Sequence, residues 1–336
     1  MATIRDVAKL AGVSVATVSR VINKSGYVNK ETEQAVQQAI KMLNYEPNRV
    51  ARGLASKKTE TIALIMPNIS NPFFAELARA VEDVARSYGY TVLICNSDNE
   101  SDKEQTYINV LKRRYVDGIL FATHSLQAAD ISAMNDAGIP LVFLDRGPSE
   151  SSCYVVRSKN YEGAKKAVAH LLDVGCKKIA HIYGPQETAT GKERMLGYED
   201  SVRHFDWFTP SLMVPGHFRI NGGMEAVEQL MARHPDVDGI FCGNDLMALG
   251  ALKKLQQMGM SVPDQVALCG FDGIELTVIT EPELTTIAQP IYDIGALSTQ
   301  LLVKKIEGEA VDNQYIYEFD AELVARGSSR KDMKTP

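Results

Sequence analysis

Thr3-Ile4-Arg5-Asp6-Val7-Ala8-Lys9-Leu10-Ala11-Gly12-Val13-Ser14-Val15-Ala16-Thr17-Val18-Ser19-Arg20-Val21-Ile22-Asn23 opens the chain with two helix starts and a stop between them. Thr3 can cap a first helix, and Asp6 can answer it from the third helical position. Gly12 permits the positive φ that ends that helix in a tight turn. Ser14 caps a second helix whose Val18, Val21 and Ile22 share one face, leaving Thr17, Arg20 and, less squarely, Ala16 off it. Past a Gly26-Tyr27 loop, Asn29 starts a third helix with Val36, Ala39, Ile40 and Leu43 at helical spacing. Two short helices joined through glycine and followed by a third make a helix-turn-helix unit, whose second helix suits a major groove. Arg20 can donate twice to a guanine edge, and the small Val15 and Ala16 can approach thymine methyls. Thr3, Ser14, Thr17, Ser19, Asn23, Tyr45 and Asn48 complete the set of candidate base and phosphate contacts. By pattern alone, a purely structural three-helix subdomain has the same signals.

Charge divides along the chain in the same place. Residues 1–58 carry ten Lys/Arg against four Asp/Glu, a net of +6, whereas the remainder carries 26 against 38 and is −12. A basic head on an acidic body predicts that only the head meets a polyanion.

From Thr61 the periodicity changes. Ile62–Met66 is a wholly apolar strand, followed by a helix over Phe74–Tyr88, a strand over Thr91–Cys95, a helix over Lys103–Arg114, and strands at Gly118–Ala122 and Leu141–Leu144. The alternation restarts after a helix near Gly163–Leu172, with strands at Ile179–Ile182, Ser211–Val214, Gly239–Cys242 and Val266–Gly270. Helices fall between them near Arg194–Arg203, Gly222–Arg233 and Met247–Gln257. Strand–helix alternation means parallel sheet, so the body reads as α/β with two doubly wound lobes. Ligands in such sheets lie beyond the strand C-termini, and two lobes place those edges around one cleft.

The residues just after these strands are polar and planar, or aromatic. They are Asn71, Phe73 and Phe74; Asp145 and Arg146; Arg194 after a Gly-rich loop; Phe218; Asn244; Asp272; and Gln289. Sugars need such a set, because adjacent hydroxyls pair with planar amides, carboxylates and guanidiniums while ring C–H faces lie on aromatics. Two carboxylates against two guanidiniums suit a neutral ligand better than a phosphorylated one.

Residues 3–8 and 11–23, together with Asn44-Tyr45-Glu46-Pro47-Asn48-Arg49-Val50-Ala51-Arg52-Gly53-Leu54, resemble the head and hinge of the lactose/galactose repressor (LacI) family, and the likeness continues to the C-terminus. The resemblance implies a DNA-binding transcriptional repressor. One short segment after Pro47 is too small to hold a helix alone, but two copies packed together on DNA can. The family likeness further implies that paired Leu54 side chains wedge into a central base step, with Arg49 and Arg52 at the flanking phosphates. The body is similar to periplasmic sugar-binding proteins and to repressors sharing their fold. The ten cleft candidates match the positions where the ribose-responsive subgroup holds D-ribose. This chain has Lys159-Asn160 where many relatives have Asp-Asn, a departure at a crossover between lobes.

The resulting expectation is a headpiece over 1–46 and a hinge helix over 47–58. A first lobe follows from 59–158 and 289–320, then a second from 159–288 and 321–330, and a tail over 331–336. A homodimer on a pseudo-palindromic double-stranded operator is expected, with a central CG step. No heptad run follows Phe319–Arg326, so no tetramerising zipper is expected. Several other functions find little support. No apolar run reaches the roughly 18–20 residues of a membrane span, and the N-terminus lacks a signal-like apolar core. That leaves a cytoplasmic protein without membrane contact. The five cysteines lie at least 23 residues apart, so neither disulfides, metal sites nor cofactors are expected. Gly184-Pro185 to Gly191-Lys192-Glu193 has the wrong spacing for a phosphate loop, and no nucleophile arrangement supports an enzyme. A transport protein would not carry the basic head. A catabolite-type regulator with a phosphorylated carrier protein as corepressor is the main alternative, because Arg49–Thr59 and Tyr292-Asp293-Ile294-Gly295-Ala296 look like that subgroup.

Overall fold

The computed structural model describes residues 2–23, 25–45, 58–113, 116–123, 128–146, 153–310 and 314–330. They fall into two units, Met1–Thr59 and Glu60–Pro336.

In the first unit, α1 (Ile4–Ala11), α2 (Val15–Asn23) and α3 (Lys30–Met42) each begin where a side chain satisfies free backbone N–H groups. The Asp6 amide donates to the Thr3 hydroxyl at 3.4 Å, and the Thr3 amide donates to the Asp6 carboxylate at 2.8 Å. Gly12 closes α1 at φ 65°. Ser14 accepts from the Thr17 amide at 3.1 Å, and Asn29 from the Thr32 amide at 2.8 Å. The three helices bury Val7, Ala8, Val18, Val36 and Ala39 against one another. Each buried valine contributes about 1.5–3 kcal/mol, so this small core has little to spare.

The second unit holds two six-stranded sheets. β1 (Thr61–Met66), β2 (Thr91–Asn96), β3 (Gly118–Phe121), β4 (Leu141–Leu144), β5 (Tyr154–Ser158) and β11 (Ile316–Phe319) form the first, in the order β11-β5-β4-β3-β1-β2. β6 (Ile179–Tyr183), β7 (Met213–Pro215), β8 (Gly239–Cys242), β9 (Ala267–Asp272), β10 (Thr285–Ala288) and β12 (Glu322–Val324) form the second, in the order β12-β10-β9-β8-β6-β7. Every pairing is parallel except that of β12 with β10. Residues 62–66 of β1 are fully buried, as a strand covered on both faces requires. The chain crosses between sheets after β5, after β10 and after β11, and each sheet's order reverses at its first strand.

Helices cover both faces. Those that matter for the cleft are α4 (Pro72–Ser87), α7 (Asn160–Asp173), α8 (Ala189–Val202), α10 (Asp245–Gln257) and α11 (Ile291–Glu307); α5 (Ser101–Leu111), α6 (Ala128–Asp136) and α9 (Ile220–Arg233) complete the set. The α11 side chains Ile291, Ile294, Leu301 and Leu302 join the first sheet's core. Leu246 and Ile274, from second-sheet connections, pack into that same cluster and bridge the lobes.

Three readings are corrected in detail. Residues 210–212 form a short 3-10 turn led by Pro210, so the strand expected at Ser211 starts at Met213. The Gly-rich loop is shorter than expected, because Thr188 caps α8 and places Gly191 and Arg194 inside it. The structure adds β5, β10, β11, β12, α6 and α11 to the elements expected from the sequence. The β10 run Thr285-Thr286 lacks an apolar signature, and its hydroxyls are buried only because Ser329 and Asp245 bond them at 2.7 and 2.6 Å.

Candidate functional site

Asn71, Phe73, Phe74, Asp145, Arg146, Thr190, Arg194, Phe218, Asn244 and Asp272 surround a cleft of about 240 Å³. Nine of the ten sequence candidates therefore converge here. The tenth, Gln289, is buried and donates from Nε2 to Asp272 Oδ1 at 2.8 Å, so it supports the cleft from behind. Thr190, in the first turn of α8, was missed because it follows no strand.

Local chemistry places each side chain. Asn71 caps α4, accepting from the Phe73 amide at 3.1 Å, with Pro72 next in the first helical position. Asn244 caps α10 in the same way, through the Met247 amide at 3.0 Å. Asp145 and Asp272 close β4 and β9 with φ of 61° and 117°, and Phe218 has φ 57°. Three non-glycine residues in this region cost about 1–3 kcal/mol each, a strain that clusters at functional sites. A side chain at Gly184 would overlap the Phe218 ring, so the bare glycine makes room for it.

Electrostatics inside the cleft are tightly paired. Arg146 Nε donates to Asp145 Oδ2 at 3.3 Å, and its guanidinium lies over Phe74 and Phe218 at 5.4 and 5.7 Å. Arg194 donates to Asn160 Oδ1 at 2.8 Å, to the Gly243 carbonyl at 2.7 Å and to Asp272 at 3.1 Å. It stacks on Phe271 at 3.8 Å. Burial pushes Asp145 up and Arg146 down, outweighing their mutual attraction. Among the described residues, Asp145 Oδ1 and Gln289 Oε1 are buried without a hydrogen-bond partner. Buried acceptors of this kind call for donors, and sugar hydroxyls are donors.

Asp245 was also missed. Its carboxylate accepts from the Gly273 and Ile274 amides at 2.7 and 2.9 Å and from the Thr286 hydroxyl at 2.6 Å. It thus pins the turn that follows Asp272. Burial and the neighbouring Asp272 charge push Asp245 up, against those three donors. Asp245 does not line the cleft, so the lining keeps the two carboxyls against two guanidiniums counted from sequence. The only sequence signal for Asp245 was its place beside Asn244.

In the first unit, Val15, Ala16 and Arg20 of α2 are exposed together. The Ser14 and Thr17 hydroxyls bond each other at 2.9 Å, and the Thr3 hydroxyl is engaged with Asp6 at 2.7 Å. Ser19 is half-buried, and Tyr45 packs against the headpiece core. Asn23 ends α2, but its side chain lies outside the described residues, as do Asn48, Arg49, Arg52 and Leu54. No described helix is long and apolar enough to cross a membrane, and among the described residues no acidic, His or Cys group could hold a metal.

Fold and site together define the class: a helix-turn-helix head on a two-lobed body of the periplasmic-binding-protein type. Residues 3–48 match the family model for bacterial regulatory proteins of the lacI family, and residues 59–323 match that for periplasmic binding proteins and the sugar binding domain of the LacI family. The chain is 48% identical to the ribose operon repressor of Halalkalibacterium halodurans, over 98% of each chain. It resembles the solved lac repressor dimer bound to operator and the anti-inducer ONPF, with a TM-score of 0.87 at 26% identity over 98% of this chain and 99% of that one. It also resembles a LacI family transcriptional regulator from Enterococcus faecium with bound ribose, with a TM-score of 0.72 at 29% identity over 80% of this chain and 98% of that one. The chain belongs to the LacI family of bacterial transcription regulators; it is a DNA-binding repressor and not an enzyme.

Proposed function

We propose that this repressor acts as a cytoplasmic homodimer on a pseudo-palindromic operator of ribose uptake or utilisation genes, and that D-ribose or a close sugar in the cleft releases it. The observation that carries the effector is the buried acceptor Asp145 Oδ1, without a hydrogen-bond partner among the described residues, in a cleft lined by two stacked guanidiniums and the Phe73, Phe74 and Phe218 rings. Both guanidiniums already face carboxylates, which favours a neutral sugar over its phosphate. The relative that carries bound ribose and the 48% identical ribose operon repressor support the same choice. Sugar closes the lobes on each other, and the hinge segments lose their mutual packing on DNA.

In this reading Thr3, Ser14, Val15, Ala16, Thr17, Ser19, Arg20, Asn23, Tyr45, Asn48, Arg49, Arg52 and Leu54 form the DNA surface. Calorimetric titration of the full chain with D-ribose, allose, xylose and ribose 5-phosphate tests the effector. Saturable binding of ribose in preference to its phosphate is expected. Binding of no sugar contradicts the reading, and turns attention to a phosphorylated carrier protein as corepressor.

A further inference from the structure

Arg157 stands near the end of β5, in the first sheet, and Glu193 in α8, against the second. Their side chains meet across the lobes, with Arg157 Nη1 2.9 Å from Glu193 Oε1. Glu318 on β11 holds the same guanidinium from behind, at 2.9 Å from Nη2 and 3.1 Å from Nε. The arginine is therefore forked onto its own sheet while its remaining nitrogen reaches over. Glu193 directly precedes Arg194 on α8, so the ion pair anchors the turn of helix that carries the cleft-facing guanidinium. Asn160 in turn donates to the Ser158 carbonyl at 3.0 Å and accepts from Arg194 Nε at 2.8 Å. The Arg157–Glu193 pair and the Arg194–Asn160 hydrogen bond thus tie α8, with the arginine that faces the cleft, to the first sheet and to the β5–α7 crossover.

Neither Arg157 nor Glu193 lines the cleft. Their side chains are only 11% and 27% exposed, so solvent screens the pair incompletely. Burial, with a smaller push from Glu318, moves the Glu193 carboxyl up, and Arg157 opposes that shift. Losing Arg157 leaves the half-buried Glu193 charge poorly compensated, whereas losing Glu193 leaves Arg157 held by Glu318 alone, on its own sheet.

We propose that Arg157 and Glu193 form an interlobe clamp, with Glu193 as the positioning residue that holds α8, and with it Arg194, in place for the effector. The proposal rests on the effector reading above. Calorimetric titration of the full chain with D-ribose tests it, using Arg157→Gln, Glu193→Gln and the double variant, with sugar-free thermal unfolding beside it. Each single variant is expected to bind ribose about five- to twentyfold more weakly, and the double variant no more weakly than the worse single, because the two act as one unit. Arg157→Lys keeps the charge but not the fork, and is expected between wild type and Arg157→Gln. It keeps the test alive should the neutral variants fail to fold.

Losses that multiply in the double variant overturn the clamp, as does wild-type ribose affinity in the single variants or in Arg157→Lys. A wild-type chain that takes no ribose overturns the effector reading, and the clamp with it. Ribose binding in wild type with unaffected variants overturns the clamp alone.

Discussion

Asp145 and Arg146 are adjacent in sequence and form an ion pair of 3.3 Å at the end of β4, yet one Asp145 oxygen remains buried without a hydrogen-bond partner among the described residues. The pair is a binding device more than a stabilising one. Burial pushes Asp145 up, so its folded form holds a proton more tightly than the unfolded chain does, and stability from this group falls as pH rises above the ordinary carboxylate range. Asp145→Asn removes that cost and keeps the shape. The swap also leaves the buried Arg146 guanidinium without its paired carboxylate, so the sugar-free melting temperature at neutral pH is expected to fall, and ribose affinity to fall about ten- to hundredfold. Calorimetry and thermal melts on one sample check both halves.

Phe218 depends on the absence of a side chain at Gly184. Gly184→Ala pushes the ring out of its place, and overpacking of this kind costs about 1–3 kcal/mol. Ribose affinity is expected to drop about tenfold with circular dichroism unchanged. Unaltered affinity would show that Phe218 does not contact the sugar.

His181 supplies the pH dependence of stability. It is fully buried between Phe241 and Tyr198, with ring centroids 4.7 and 5.0 Å away, and burial holds its pKa at about 3 against an ordinary 6.5. The unfolded chain takes up a proton in that interval and the folded chain does not. Stability from this residue is complete above about pH 6.5 and is lost as pH falls toward 3, at up to about 1.4 kcal/mol per unit. The buried Asp145 and Asp272 run the other way, but they are common to wild type and variant. His181→Phe is therefore expected to lose less stability than wild type between pH 7 and pH 5 in denaturant titrations. Equal losses contradict the assignment.

On the headpiece, Arg20→Ala is expected to weaken operator binding by about 1–3 kcal/mol and to relax preference at one base position. Fluorescence anisotropy across single-base operator variants measures this. A uniform loss on every sequence, with a shallower salt dependence, would make Arg20 a phosphate contact instead.

The headpiece was legible in the sequence because its signals are local. Thr3 with Asp6, Gly12, Ser14 with Thr17, and Asn29 with Thr32 each act within three or four residues. The cleft candidates were legible for a related reason, since Asn71, Asp145, Asn244 and Asp272 each follow a strand or cap a helix. What escaped depends on contacts far apart in the chain. Asp245 meets Gly273 and Thr286, Arg157 meets Glu193 and Glu318, and Asn160 meets Arg194. Thr285 and Thr286 hide a buried strand behind polar side chains whose partners arrive only in the fold. No spacing rule links such residues before the lobes are assembled.

Sugar and operator must weaken each other's binding equally at equilibrium if the cleft controls the head, typically by about 1–3 kcal/mol. The most direct measurement is operator affinity of the full chain with and without saturating D-ribose, by anisotropy at fixed salt. The account predicts an operator Kd raised about five- to 150-fold by ribose, and not by xylose at the same concentration. An operator affinity indifferent to ribose, in a chain that demonstrably binds it, would contradict the account.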